Sequence, residues 1–141
     1  MYKHMNTYKK ILDAALSCIQ NIDRTTTKVV WFGLDSPATI ISVALQYNNQ
    51  PLDYITDNNP ASWGLSIGNF LTIFPVEQIA EKYGKNAIFL ISSKYAETRK
   101  YQLQELGIEE DCIFMLPTEK ESFIQSQEEL LAHTQGLILQ L

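Results

Sequence analysis

Cysteine and histidine are nearly missing from this sequence, with two of each in 141 residues. Cys18 and Cys112 stand far apart among apolar neighbours without C-x-x-C spacing, so neither a disulfide framework nor a thiolate metal site is in view, and both read as buried thiols. His4 and His133 are equally isolated, which leaves no metal-ligating cluster. Basic residues are also in deficit. Eleven Lys and Arg face sixteen Asp and Glu for a net charge of −5, with no basic block, which disfavours a nucleic-acid backbone as partner. Apolar runs such as residues 87–91 fall well short of the roughly 20 residues a membrane helix needs, and the N-terminus has no signal-peptide h-region. The expectation is no membrane association and a cytoplasmic location. No internal repeat, low-complexity tract or glycine-rich loop occurs.

What is present is apolar sequence, 45% of the chain, enough for one ordinary globular domain and too little for two. Residues 8–22 carry Tyr8, Leu12, Ala15, Ile19 and Ile22 at alternating four- and three-residue steps, which puts one apolar stripe along a helix. The stripe can pack on the domain's own core or pair with a second subunit or partner domain. A polar connector, residues 23–27, separates this helix from a domain expected over residues 28–141.

Lys28-Val29-Val30-Trp31-Phe32 ends at Gly33, the pattern of a strand buried on both faces of a parallel sheet. Ser36 offers an N-cap hydroxyl and Pro37 a first-turn residue for a helix over residues 38–45. Residues 52–56 read as a second strand closed by the turn Asp57-Asn58-Asn59-Pro60, and residues 70–74 as a short strand leading to a helix opened by Pro75. Residues 86–91 form another inner strand, 94–106 a helix stopped by Gly107, and 111–116 a further strand. A helix is expected over residues 118–134, with Thr118 and Glu121 spaced as a capping box. The apolar end, residues 136–141, fits a last strand, a docked tail or the cut edge of a longer protein.

This alternation predicts an α/β fold: a Rossmann-like three-layer sandwich with a mainly parallel sheet, preceded by an N-terminal amphipathic helix. Ligands of such sheets bind beyond the carboxyl ends of the strands where the strand order reverses. That rule selects residues 33–37, 57–59 and 92–94.

A dinucleotide loop needs G-x-G-x-x-G after the first strand, and this chain offers Gly33-Leu34-Asp35-Ser36-Pro37-Ala38. Gly33 supplies the tight turn and Ala38 the close helix contact. Asp35, however, places a carboxylate where phosphate would approach, and Pro37 removes an N–H from the helix terminus. The loop therefore suits a hydroxyl or amine at Asp35, with Ser36 Oγ and the Leu34 N–H as donors, or is simply a polar helix-capping turn. Asp57, 24 positions after Gly33, stands where an acidic residue grips a ribose, and also where an Asx turn with Asn58 would begin. Ser92 and Ser93 either line the same cleft or cap the next helix. Lys94-Tyr95 and Arg99-Lys100-Tyr101 read as a solvated helix face. No Tyr-x-x-x-Lys pair, Ser/His/Asp set or paired carboxylates stand near this cleft, so the chain reads as non-catalytic on its own.

Val29-Val30-Trp31-Phe32-Gly33, Asp57-Asn58-Asn59-Pro60 with Trp63-Gly64, Phe74-Pro75-Val76-Glu77-Gln78-Ile79 and the serine-ended strand at 88–93 together resemble a known module. It is the nucleoside-diphosphate-sugar epimerase-like domain of bacterial surface-polysaccharide proteins, also similar to the N-terminal part of sugar acyltransferases. The resemblance covers residues 28–116 and implies phosphate contact by Gly33 and Ser36, an acidic role for Asp57, and a ligand such as NAD(P) or a nucleotide-sugar. Family members carry glycine where this chain has Asp35. Three readings follow: a nucleotide or nucleotide-sugar binding domain accessory to a glycan-biosynthesis enzyme; a non-catalytic interaction or scaffold domain with a vestigial cleft; and a fragment of an S-adenosylmethionine-dependent methyltransferase.

Overall fold

The computed structural model describes residues 5–67 and 71–118. The helix expected over 118–134, beyond its first residue, and the apolar end at 136–141 lie outside them. In chain order the elements are α1 (Met5–Ile19), β1 (Lys28–Phe32), α2 (Ser36–Tyr47), β2 (Tyr54–Thr56), β3 (Ser66–Ile67), β4 (Leu71–Phe74), α3 (Val76–Tyr83), β5 (Ala87–Ile91), α4 (Ala96–Glu105) and β6 (Ile113–Met115). No helix among the described residues is long and apolar enough to cross a membrane.

Strand β1 has no polar side chain after Lys28, so both of its faces must be covered. Both are. Val29 and Trp31 join one apolar cluster with α1 and α2, whereas Val30 and Phe32 join a second with α3 and Leu103 of α4. The sheet runs β3-β4-β2-β1-β5-β6. Every pairing is parallel except that of β3 with β4. Right-handed crossovers explain the layering: the chain steps outward from β1 through α2 to β2, then returns across β1 through α3 to β5, which sends the later helices to the opposite face. The architecture is the Rossmann-like α/β sandwich, and its order reverses between β1 and β5.

The stripe of α1 is spent inside the chain. Tyr8, Leu12, Ala15 and Ile19 are buried in the α2 cluster, and Ile22 packs at its margin. The first helix is thus part of one layer of the sandwich and not a free seam.

Three local expectations change. The second strand, expected from residue 52, runs only from Tyr54: Asp53 still gives its backbone N–H to the Val29 carbonyl at 2.8 Å, but the Val29 N–H goes to the Asp53 carboxylate at 2.8 Å and not to a backbone carbonyl, and the same carboxylate accepts from Arg24 Nη2 at 3.2 Å. Arg24 also donates to the Pro51 carbonyl and to Gln50, so the connector before β1 is tied to the one before β2. A two-residue strand, β3, forms an antiparallel edge within what the sequence suggests is a connector; two residues are too few to carry a period. The N-cap of α2 is Asp35 and not Ser36, and the Asp35 side chain makes no capping bond.

Near the amino ends of the strands, the hydroxyls of Tyr54 and Tyr83 lie 2.5 Å apart and join β2 to α3. This bond, with burial adding, pushes Tyr54 up to about 12. It pulls Tyr83 down, as do the ammonium groups of Lys82 and Lys28.

Two measurements test these ties. Asp53→Ala strands a backbone amide of the central strand and should cost about 1–3 kcal/mol in urea unfolding, whereas Asp53→Asn, which keeps an acceptor oxygen, should recover most of it. In an ultraviolet phenolate titration, Tyr83→Phe should bring Tyr54 from about 12 back toward its ordinary value; an unmoved high titration would mean that the hydrogen bond does not set it.

Candidate functional site

The carboxyl ends of β2, β1 and β5 lie side by side, and each carries one of the segments the sequence singles out. Gly33 continues the ladder, its N–H donating to the Thr56 carbonyl at 2.8 Å, and then turns with φ +122°, a conformation open to glycine and strained for other residues. Leu34 follows with its side chain exposed, and Ser36 opens α2.

What lies against Gly33 comes from the chain itself. A Cβ built on Gly33 would fall 2.9 Å from Cζ of Arg99 and closer still to Nη1. The guanidinium thus occupies the room that a glycine leaves for a close approach. It lies over the rings of Phe32 and Tyr95, 5.5 and 5.8 Å from their centroids, and Nη1 donates to Asp35 Oδ2 at 3.0 Å. Arg99 is 9% exposed. Its reading as part of a solvated face is corrected; Lys100, ion-paired with Glu110, and exposed Tyr101 do lie outward. The signal was available in spacing. Arg99 sits four residues before buried Leu103 and three after Ala96, on the stripe that faces the sheet.

Asp35 explains its own missing cap. Pro37 has no N–H to give and the Ala38 N–H already bonds the Asp35 carbonyl at 2.9 Å, so the carboxylate turns to Arg99. The guanidinium has five N–H donors, and its bond to Asp35 is the one it makes among the described residues. Held by two rings, a glycine backbone and a carboxylate, it is a pre-oriented fork with donors to spare.

Asp57 is engaged on all sides. Oδ1 accepts from Leu34 N at 3.0 Å, while Oδ2 accepts from Asn59 N at 3.0 Å and, as the longer arm of a proton shared with the Asn59 carbonyl, from Ser62 Oγ at 3.3 Å. Its carbonyl accepts from the Trp63 indole N–H at 2.7 Å. The carboxylate that a ribose would need therefore joins the β1 loop to the β2 loop. Asn58 exchanges two 2.9 Å hydrogen bonds with Gln102, fastening the β2 loop to α4. Ser92 and Ser93 are buried; Ser92 Oγ donates to the Pro117 carbonyl at 2.7 Å, and Ser93 Oγ accepts from Tyr95 N at 3.0 Å. The structure thus brings Gly33, Leu34, Asp35, Asp57 and Asn58 together with Arg99 and Gln102, which the sequence reading missed. It turns the two serine hydroxyls toward the β6 end and the start of α4. The hydroxyl of Thr56, at the end of β2, is buried and has no hydrogen-bond partner among the described residues.

No protein-family model matches the chain, and none of the curated proteins does. Among solved structures, it is similar to the glucose dehydrogenase of Haloferax mediterranei determined in complex with NADP, zinc and gluconolactone, with a TM-score of 0.48 and 11% identity. The match takes in 97% of this chain and 47% of the dehydrogenase. The fold assignment follows from strand order and crossovers.

Gly33→Ala combines left-handed strain with displacement of the guanidinium, so urea unfolding should show a loss of at least about 2 kcal/mol. Adding Arg99→Met should relieve the steric part and leave the backbone part, a non-additive pair. Strict additivity would show that the two residues are not in contact.

Proposed function

We propose that this chain binds a nucleotide-type ligand at the carboxyl ends of β1 and β2, taking its phosphate on the Arg99 guanidinium instead of on a glycine-rich loop. The observation that carries the reading is Arg99 itself: a nearly buried cation, seated against Gly33 at the point where strand order reverses, with N–H donors beyond the one it gives to Asp35. A guanidinium fork matches two phosphate oxygens, and its place answers both departures of the loop from the dinucleotide pattern. Asp35 no longer opposes an incoming anion alone, and the N–H that Pro37 lacks has a substitute. The finer reading, a nucleotide-sugar held for a bacterial glycan-assembling enzyme, rests on the sequence resemblance. The role is binding; no nucleophile and base are paired among the described residues of the site.

A second reading has its own support. The Asp57 carboxylate, the Asn58–Gln102 pair and the serine hydroxyls all spend their hydrogen bonds within the chain, as a scaffold domain with a vestigial cleft would.

Calorimetric titration with ADP, UDP, a UDP-sugar, NADP and S-adenosylmethionine separates the two. Phosphate-bearing ligands should bind, Arg99→Met should weaken them about 10- to 100-fold through loss of a charge-assisted hydrogen bond, and Asp35→Asn, which keeps an acceptor oxygen for the guanidinium but removes the negative charge beside it, should tighten them. Absence of binding at millimolar concentration would leave the scaffold reading. Binding of S-adenosylmethionine alone would point to the methyltransferase reading.

A further inference from the structure

Trp63 is an exposed aromatic side chain on a tightly held loop. The residue is 39% exposed, and its indole N–H is already donated to the Asp57 carbonyl, so the side chain has no free polar handle to offer a ligand. Leu65, two residues on, is 57% exposed, and Leu34, across Asp57, is 37% exposed. The loop carrying the tryptophan has little freedom. Ala61 N donates to Asn59 Oδ1, Ser62 N and Oγ to the Asn59 carbonyl, Trp63 N to the Pro60 carbonyl, Gly64 N to the Ile73 carbonyl and Leu65 N to the Ser62 carbonyl. This bonding holds the loop backbone, and the bond from the indole N–H to Asp57 sets the orientation of the ring.

A chain of hydrogen bonds links it to the anion site. Asp57 holds Leu34 N with its side chain and the Trp63 indole with its backbone, so the apolar groups flank one residue, and Asp35, which follows Leu34 in the chain, carries the contact to Arg99. A cation linked to the β1 loop through Asp35 and an apolar ring linked to the same loop through Asp57 match a molecule with a phosphate at one end and a planar apolar group at the other. The ribose recognition that the sequence expects of Asp57 is weakened by its internal bonds, which leaves the two ends to define the ligand.

We infer that the exposed Trp63 ring is the stacking platform for the base of the ligand, and that the site takes nucleoside phosphates in preference to phosphorylated sugars without a base. The inference rests on the anion-binding reading of Arg99 and adds the chemistry of the other end. Stacking is tolerant of base identity because each base has a π-face, so adenine and uracil nucleotides are both accepted.

The test uses the full chain, titrated by calorimetry and by tryptophan fluorescence with AMP, UMP, ribose 5-phosphate and pyrophosphate. Trp31 is buried in the core at 1% exposure and reports little of a ligand at the rim, so quenching on binding reads Trp63. AMP and UMP should bind about 10-fold or more tighter than ribose 5-phosphate and quench the emission, while ribose 5-phosphate binds without quenching. Trp63→Ala should bring AMP and UMP down to the ribose 5-phosphate affinity and leave ribose 5-phosphate unchanged; Trp63→Phe, which keeps a ring, should retain most of the preference. Should Trp63→Ala fail to fold, the wild-type preference and quenching decide alone. Equal binding of nucleotides and ribose 5-phosphate, without quenching, overturns the platform and leaves the Arg99 site standing. Failure of all four compounds to bind overturns both. Quenching by AMP with UMP silent also overturns it, since that would be base-specific recognition and not a stacking surface.

Discussion

Strand β1 is paired on both edges and covered on both faces, and the rest of the molecule is arranged around that enclosure. A strand so enclosed has no lateral contact with water, and its carboxyl end is where the chain must turn out of the sheet. Gly33 stands at that exit. Because the strand order reverses between β1 and β5, no helix among the described residues crosses the gap directly above it, and α4, arriving on the far face, supplies a side chain long enough to reach in. Arg99 does so over the Phe32 ring. The position of a charged group in an otherwise apolar layer is thus a consequence of topology as much as of sequence.

Fold and site were unequally legible in the sequence. The inner strands announced themselves through unbroken apolar runs, and Lys28–Phe32 needed no correction at either end. The edges blurred where a side chain shares in the ladder or the strand is very short: the Asp53 carboxylate takes the Val29 N–H while its backbone takes the Val29 carbonyl, and β3 is too short to show a period. At the site, the order of segments along the chain pointed to the right strand ends, because the carboxyl-end rule depends on topology, which patterning reveals. The partner of Asp35 was hidden 64 positions away, in a helix whose solvent-facing neighbours, Lys100 and Tyr101, made the whole triplet look polar. Only the offset from Leu103 set Arg99 apart. The roles of Asp57 likewise depend on which groups arrive beside it in space, and sequence spacing fits a ribose ligand and an Asx turn equally well.

The loop at Gly33 departs from a dinucleotide loop in a coordinated way. A carboxylate in place of the second glycine would oppose an anion if it stood alone, and proline at the start of α2 would weaken the helix terminus. With Arg99 present the two changes are mutually consistent, since the carboxylate anchors the guanidinium and the proline leaves that carboxylate without a competing cap.

The hydrogen bonds of Asp57 have a consequence for how flexible the rim can be. One residue ties the loop after β1 and the loop after β2 to each other, Asp57 accepting from Leu34 N with its side chain and from the Trp63 indole with its carbonyl, so opening one loop away from the other would cost a hydrogen bond. A ligand spanning both would meet surfaces whose relative spacing was set during folding, and the entropy of ordering them would not be charged against its affinity. A rim tied in this way would favour molecules whose two ends match the spacing between the loops after β1 and β2.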